Sequence, residues 1–518
     1  MYSQMNNNRF GVVLGAGVGK PLGYPDWKEL IQRIANDPKV ADTDLLRILE
    51  KEKRPLPIQA QILFGRFRDK HRQDENLRHL NESEAIRILR ADWRNIVHHC
   101  LYADAPPSTT LESVYSQFVD VVRRSTMTVN YNFDDTLERL LLEKKSEDER
   151  GYETVVDARL QFQRNTAIIY HPNGFLPRSR FDNPSDYVVL TEDSFGDQLI
   201  DSMSGQFAAL ANHFSKNTCL LIGLSLEDQT LRHLLRQHAR MNPGHVHYYV
   251  RFVDSVVRPD EDTCSAERDA NFEVFNLVTL FLDRDELASL GRLLVMPEID
   301  IASFDEPSAY CFYLSGVPGT GKTTTASFLR NLITYDEWVE ARPESLAKPH
   351  DELTIDERQL VDDWILKQIG IKNKHLVYDS QSRPVGVRLV DRCLTDPIAF
   401  TEHSQWRQKA RAVRTAIAKH NRPPHPGHVV VLEGDPQELA VRVMAQNKQT
   451  SVDYTTKLQR DMQMLYPNEP GITHLDLTGY SVHEAVKRIA RLVHLEPYVE
   501  CDIGELIRRV ESGVIAPG

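Results

Sequence analysis

Short apolar runs alternate along this chain with longer stretches in which apolar residues recur every three or four positions. The runs at 11–14, 126–130, 166–170, 187–190, 218–222 and 246–252 predict strands, the last closing a sheet. Helical spacing marks 27–34, 44–51, 58–68, 82–101, 111–122, 136–143, 229–240 and 281–294. Asp26 and Glu29 have the spacing of a capping box ahead of Trp27, Leu30, Ile31 and Ile34. Residues 35–120 read as mostly helical, too long for a simple crossover, and predict a helical insertion beside the sheet. The same alternation resumes later. Strands are predicted at 310–314, 375–378, 386–390, 427–432 and 473–477, and helices at 324–333, 405–419, 437–447 and 503–518. Residues 335–368 are charged with helical spacing, and 449–466 read as a mobile lid. Ser481 and Glu484 form a second capping-box pair, opening a helix to 493. Strands alternating with helices predict an α/β protein of two doubly wound, Rossmann-like parallel-sheet domains. Their bounds are 1–296 and 309–518, with a linker at 297–308.

Composition narrows the function classes. The net charge of −12 argues against nucleic acid as a partner. No apolar run is long enough to span a membrane, and the polar first residues lack a signal-peptide core, so a cytoplasmic protein is expected. The six cysteines fit a reducing compartment, and without a C-x-x-C pair they offer no four-cysteine zinc site.

Gly-rich turns between strand and helix carry the candidate chemistry. Gly316-Val-Pro-Gly-Thr-Gly-Lys-Thr323 fits the phosphate-binding P-loop pattern. Gly316, Gly319 and Gly321 let successive N–H groups face a phosphate, Lys322 reaches the β/γ-phosphates, and Thr323 holds Mg²⁺. ATP or a dNTP with Mg²⁺ is the expected ligand. Asp391, at the tip of the strand 386–390, is placed to hold Mg²⁺ through water or to act as a base, with Arg392 beside it to pair with a phosphate. Near the N-terminus, Gly15-Ala-Gly-Val-Gly19 can take a pyrophosphate. Asn132-Phe-Asp-Asp135 stands at a strand end, where open α/β sheets place their chemistry, and Asp134 or Asp135 can cap the next helix. His171, after the strand 166–170, is a candidate general base.

Gly15-Ala-Gly17 with Pro25-Asp-Trp27, Asn132-Phe-Asp-Asp-x-Leu-Glu138, His171-Pro-Asn-Gly-Phe-Leu-Pro177, Thr191-Glu-Asp193 and Gly223-Leu-Ser-Leu-x-Asp228 occur in the order of the bacterial sirtuin-like domains. The chain resembles that group over roughly residues 10–295. Its defence-associated members look like NAD hydrolases that deplete NAD during phage infection. The resemblance implies NAD as substrate, with the nicotinamide–ribose bond broken through an oxocarbenium-like state and nicotinamide and ADP-ribose released. It implies that Asn132 orients the water and a ribose hydroxyl and that Asp134 contacts the nicotinamide ribose or amide. Gly15, Ala16 and Gly17 would cradle the pyrophosphate, Trp27 and Asn173 would also contact NAD, and Gly223 and Ser225 would line the adenosine ribose side. The family's histidine directly precedes the glycine. Asn173 holds that place here, with His171 two positions earlier and so on the same side of an extended segment. The missing C-x-x-C pairs favour NAD cleavage over deacetylation.

Roughly residues 305–495 resemble thymidylate kinases and related nucleotide kinases, through the P-loop, Asp391-Arg392 with Ala399-Phe400, Asp435-Pro436, Arg442 and Ser481 with its helix. The resemblance implies that Arg392 holds an acceptor monophosphate, that Asp391 sits near metal or substrate, and that Arg442 and Lys448 belong to a lid. The combined reading is an antiphage NAD hydrolase of the abortive-infection kind, homo-oligomeric and regulated by its kinase-like domain. Its partners would be NAD, nucleotides or dNMPs, and a protein partner or phage trigger. A deoxynucleoside monophosphate kinase with an inactive NAD-binding domain, and a non-catalytic nucleotide-binding assembly subunit, are the other readings.

Overall fold

The computed structural model describes residues 1–104, 114–143, 151–156, 166–179, 184–203, 208–226, 228–304, 309–329, 331–341, 343, 353–446 and 450–516. Its contacts divide into two compact units, residues 1–241 with 246–295, and residues 242–245 with 296–518.

The first unit is built on seven parallel strands: β1 Phe10–Leu14, β2 Met127–Asn130, β3 Gly151–Val155, β4 Thr166–Tyr170, β5 Thr218–Ile222, β6 His247–Phe252 and β7 Leu277–Leu282. Their order is β3-β4-β2-β1-β5-β6-β7. Every residue of β1, β2 and β5 is buried, as expected of central strands covered on both faces. Alternation sends Phe10, Val12, Leu14, Leu220 and Ile222 into one core, and Val13, Cys219 and Leu221 into another. From β1 the chain first builds one side of the sheet and then, from β5, the other. The carboxyl ends of β1 and β5 therefore flank a topological switch point, where such sheets open a crevice.

Between β1 and β2 lie the helices Trp27–Asn36, Thr43–Lys51, Leu56–His71, Glu82–Tyr102 and Val114–Arg124, which form the helical region expected there. The Asp26–Glu29 capping box forms, with Oδ1 of Asp26 accepting the Glu29 amide at 2.9 Å. Residues 187–190 are not a strand. They run extended beside the loop after β4, held by a bond from the Val189 amide to the Asn173 carbonyl at 2.8 Å. The sheet closes on β7 rather than β6, and the last helix of this unit starts later than expected, at Arg284–Val295.

The second unit holds β8 Ala309–Gly316, β9 Ile333–Tyr335, β10 Gly386–Asp391, β11 His428–Glu433 and β12 Ile472–Asp476, all parallel, in the order β12-β11-β8-β10-β9. β8 is central, and its neighbours β10 and β11 lead to opposite edges, so a second switch point lies where residues 316–323 leave β8. The helix after the P-loop is only Lys322–Phe328, because Ile333–Tyr335 is drawn out as β9. Its three consecutive threonines are weak helix formers. Residues 375–378 are not a strand but part of the long helix Ile355–Ser382, where Leu376 enters the core. A four-residue apolar run fits either period, and the flanking residues decide. The expected lid is instead the helix Val452–Leu465, anchored through Leu458, Met462 and Leu465, while Lys448 lies outside the described residues. Among the described residues, no helix is long and apolar enough to cross a membrane.

Candidate functional site

At the first switch point two backbones touch. The Gly15 amide donates to the Ile222 carbonyl and the Gly17 amide to the Gly223 carbonyl, each at 2.9 Å. A Cβ on Gly15 would meet the Gly223 carbonyl oxygen at 2.5 Å, and Gly223 itself sits at φ +71°, which a side chain would strain. The Val18 and Gly19 amides bond to the Gly15 and Ala16 carbonyls. The expected pyrophosphate cradle is therefore corrected: Gly15, Gly17 and Gly223 serve the close approach of two loops, with the Gly15 and Gly17 amides and the Gly223 carbonyl engaged in doing so. Ala16 faces a cleft that opens beside this turn.

That cleft is lined by Ala16, Trp27, Asn132 and Asp134, together with Tyr24, Leu30 and Leu101. Four residues singled out from the sequence thus meet at one place. Asn132 follows β2 and its amide nitrogen donates to the Gly15 carbonyl at 3.1 Å and to the Tyr115 hydroxyl at 2.7 Å. Asp134, 2 % exposed, accepts the Thr136 amide at 3.0 Å and so begins the helix Thr136–Glu143. Burial pushes its carboxyl up to about 6, against the pull of Thr136. Asp135 points elsewhere, accepting the Tyr102 hydroxyl at 3.1 Å and the Arg178 amide at 3.0 Å.

His171 is fully buried behind this turn. Its Nδ1 lies 2.8 Å from the Asn132 carbonyl, which can only accept, so Nδ1 carries a proton. Its Nε2 lies 2.8 Å from Oε1 of Glu138. Burial disfavours the imidazolium, but the Glu138 carboxylate outweighs it and raises the ring above its usual value. Neither nitrogen is left to take a proton from a ligand, which corrects the expected general base. Asn173 is also turned from the cleft. It accepts from Gln198 at 3.2 Å and bonds to Asp228, and Gln198 in turn accepts the Thr230 hydroxyl at 2.8 Å. Ser225 is solvent-exposed in the loop after β5 and does not line the cleft. Two contributors are given no role by the sequence. Tyr115 sits in an apolar helical pattern with nothing to mark it. Glu138 carried a signal, one helical turn after Asp134.

Residues 126–275 match a family model described as a SIR2-like domain. The SIR2-like segment holds β2 through β6 and carries Asn132, Asp134, Glu138, His171 and Gly223. It supports a sirtuin-like domain with an NAD-related role at the level of the family. No curated protein matches the chain.

The second unit presents a different loop. Gly316, Gly319 and Gly321 all have positive φ, at +128°, +88° and +85°. Among the described residues the amides of Gly319, Thr320 and Gly321 bond to no protein acceptor, unlike those of Gly15, Gly17, Val18 and Gly19. Lys322 folds back so that Nζ donates to the carbonyls of Gly316 and Val317, both at 2.9 Å. Burial, then the nearby Arg392, lowers it to about 7. Thr323 donates its hydroxyl to Oδ2 of Asp391 at 2.5 Å, while the buried Oδ1 of Asp391 has no partner among the described residues. A hydroxyl beside an orphaned carboxylate oxygen fits the donor set that Mg²⁺ takes. Arg392, strained at φ +69°, is gripped by Glu337, faces Oδ2 of Asp396 at 3.7 Å and lies over the Phe400 ring. Lys372, not anticipated, donates to the Asp391 carbonyl at 2.8 Å. Arg442 is exposed and pairs with Glu438 one turn away at 3.4 Å, on a helix whose Leu439 and Val443 back onto Gly319.

Proposed function

We propose that the SIR2-like domain binds NAD and hydrolyses its nicotinamide–ribose bond. The supporting observation is the meeting of the Asn132 amide and the Asp134 carboxyl in one cleft at the switch point. Breaking this bond builds positive charge on the ribose, and an ionised Asp134 in a buried site opposes that charge far better than water does. The Asn132 amide is already oriented by Gly15 and Tyr115, so it can hold a hydroxyl or water without reorganising. His171 acts as a positioning residue: it fixes the Asn132 carbonyl and, through Glu138, the helix that Asp134 begins. Incubating the purified chain with NAD and measuring nicotinamide tests this. Release that disappears in Asn132→Ala supports the reading, and no release under any nucleotide supplement refutes it.

The second unit, in the same reading, binds ATP or a dNTP with Mg²⁺ through Gly316–Thr323 and Asp391, in the manner of a nucleotide kinase, and governs the NAD cleft as part of an antiphage response. A binding event at one site that favours one of two states of the other is the physical form this takes. Phosphoryl transfer to a dNMP is the competing reading, favoured by the Lys322, Thr323 and Asp391 set. A coupled kinase assay over the four dNMPs, run beside NAD turnover, separates the two.

A further inference from the structure

The helix Trp27–Asn36 ends at Asp37, against the helix Glu82–Tyr102. The Asp37 carboxylate is turned inward, its side chain 9 % exposed. Oδ1 accepts the Lys39 amide at 2.9 Å. Oδ2 accepts no hydrogen bond among the described residues and faces Nδ1 of His99 at 3.7 Å, beyond hydrogen-bond reach. The next residue, Cys100, is buried, and its thiol likewise has no hydrogen-bond partner among the described residues. The carboxylate oxygen, imidazole nitrogen and thiol sulfur lie within 4.8 Å of one another.

We propose that Asp37, His99 and Cys100 form a Zn²⁺ site, with solvent in the fourth position. Zinc takes four such donors at about 2.0–2.3 Å, so its ligand atoms sit closer together than these do now. His99, with 75 % of its side chain exposed, is free to turn inward and close the gap. The donor set selects the ion, since thiolate with imidazole suits zinc and not Mg²⁺ or Ca²⁺. Charge also balances: carboxylate and thiolate offset the two positive charges. The neighbouring Arg33 is held by Asp104 at 2.9 Å and by the Cys100 carbonyl at 3.2 Å. Bound zinc would tie the end of one helix to the other, and these helices carry Trp27, Leu30 and Leu101 of the cleft wall. The inference rests on the three donor atoms and is independent of what the cleft binds.

The test is titration of the chelator-treated full chain with Co²⁺ as a spectroscopic stand-in, followed by competition with Zn²⁺. One equivalent should bind with a thiolate-to-cobalt absorption that is absent in Cys100→Ser and unchanged in a Cys501→Ser control. His99→Ala alters an exposed side chain and should weaken binding more than about 10-fold. Absence of saturable binding, a thiolate band that survives in Cys100→Ser, or unchanged affinity in His99→Ala would each overturn the site.

Discussion

Asp134 links chemistry to stability. Its carboxyl ionises near 3.8 in an unfolded chain but near 6 in the folded protein. Between those values the unfolded state gives up its proton first, so the folded state loses stability as pH rises, by about 3 kcal/mol in all. Asp134→Asn escapes that loss. Urea denaturation should find the variant close to wild type near pH 4 and clearly more stable at pH 7.5, while its NAD turnover falls by two orders of magnitude or more, in the range of about 10²–10³ seen for loss of one stabilising group. Wild-type turnover should rise through about pH 6 and then level. Lys322 gives a second titration. Lowered to about 7 while it bonds to carbonyls, it must be charged against a polyphosphate. Nucleotide binding at pH 8 should therefore take up about one proton, read as a buffer-dependent calorimetric enthalpy that vanishes in Lys322→Met. Asn132 and Asp134 were legible in the sequence because they sit at a strand end before a capped helix. The partners of His171 were not, since Glu138 and the Asn132 carbonyl reach it only through the tertiary fold.

Both sheets use a Gly-rich turn after a central strand, and the two turns do different work. The Gly15 and Gly17 amides are engaged by the neighbouring loop, whereas those of Gly319, Thr320 and Gly321 stay open among the described residues. Both patterns read alike in one dimension, because glycine permits a close backbone approach and an amide nest equally. Gly15→Ala should cost about 1–3 kcal/mol by forcing the loops after β1 and β5 apart, seen as a lowered denaturation midpoint with NAD affinity lost alongside. Local signals held where they were chemically complete: the capping boxes at Asp26 and Ser481 form as spaced. They failed where a short apolar run fitted two periods, at 375–378, and where an extended segment, 187–190, lay above the strand ends rather than in the sheet.

Each unit has hydrophobic clusters of its own, around β1 and β5 in the first and around β8 and β11 in the second. Separate cores predict separate unfolding. Calorimetry should resolve two transitions, with NAD raising one and a Mg²⁺-nucleotide the other, and a single transition moved equally by both ligands would contradict this. The alternation of strands and helices made the two sheets legible from the sequence, because a parallel sheet needs a crossover for every strand. Strand order is set by long-range pairing that no local pattern encodes. One detail reaches beyond any single assay. His171 holds residue 132 by its main-chain oxygen, not by its side chain. A different amino acid at that position would inherit the same backbone perch, so a new reactivity could arise there by one codon change while the surrounding framework kept its shape.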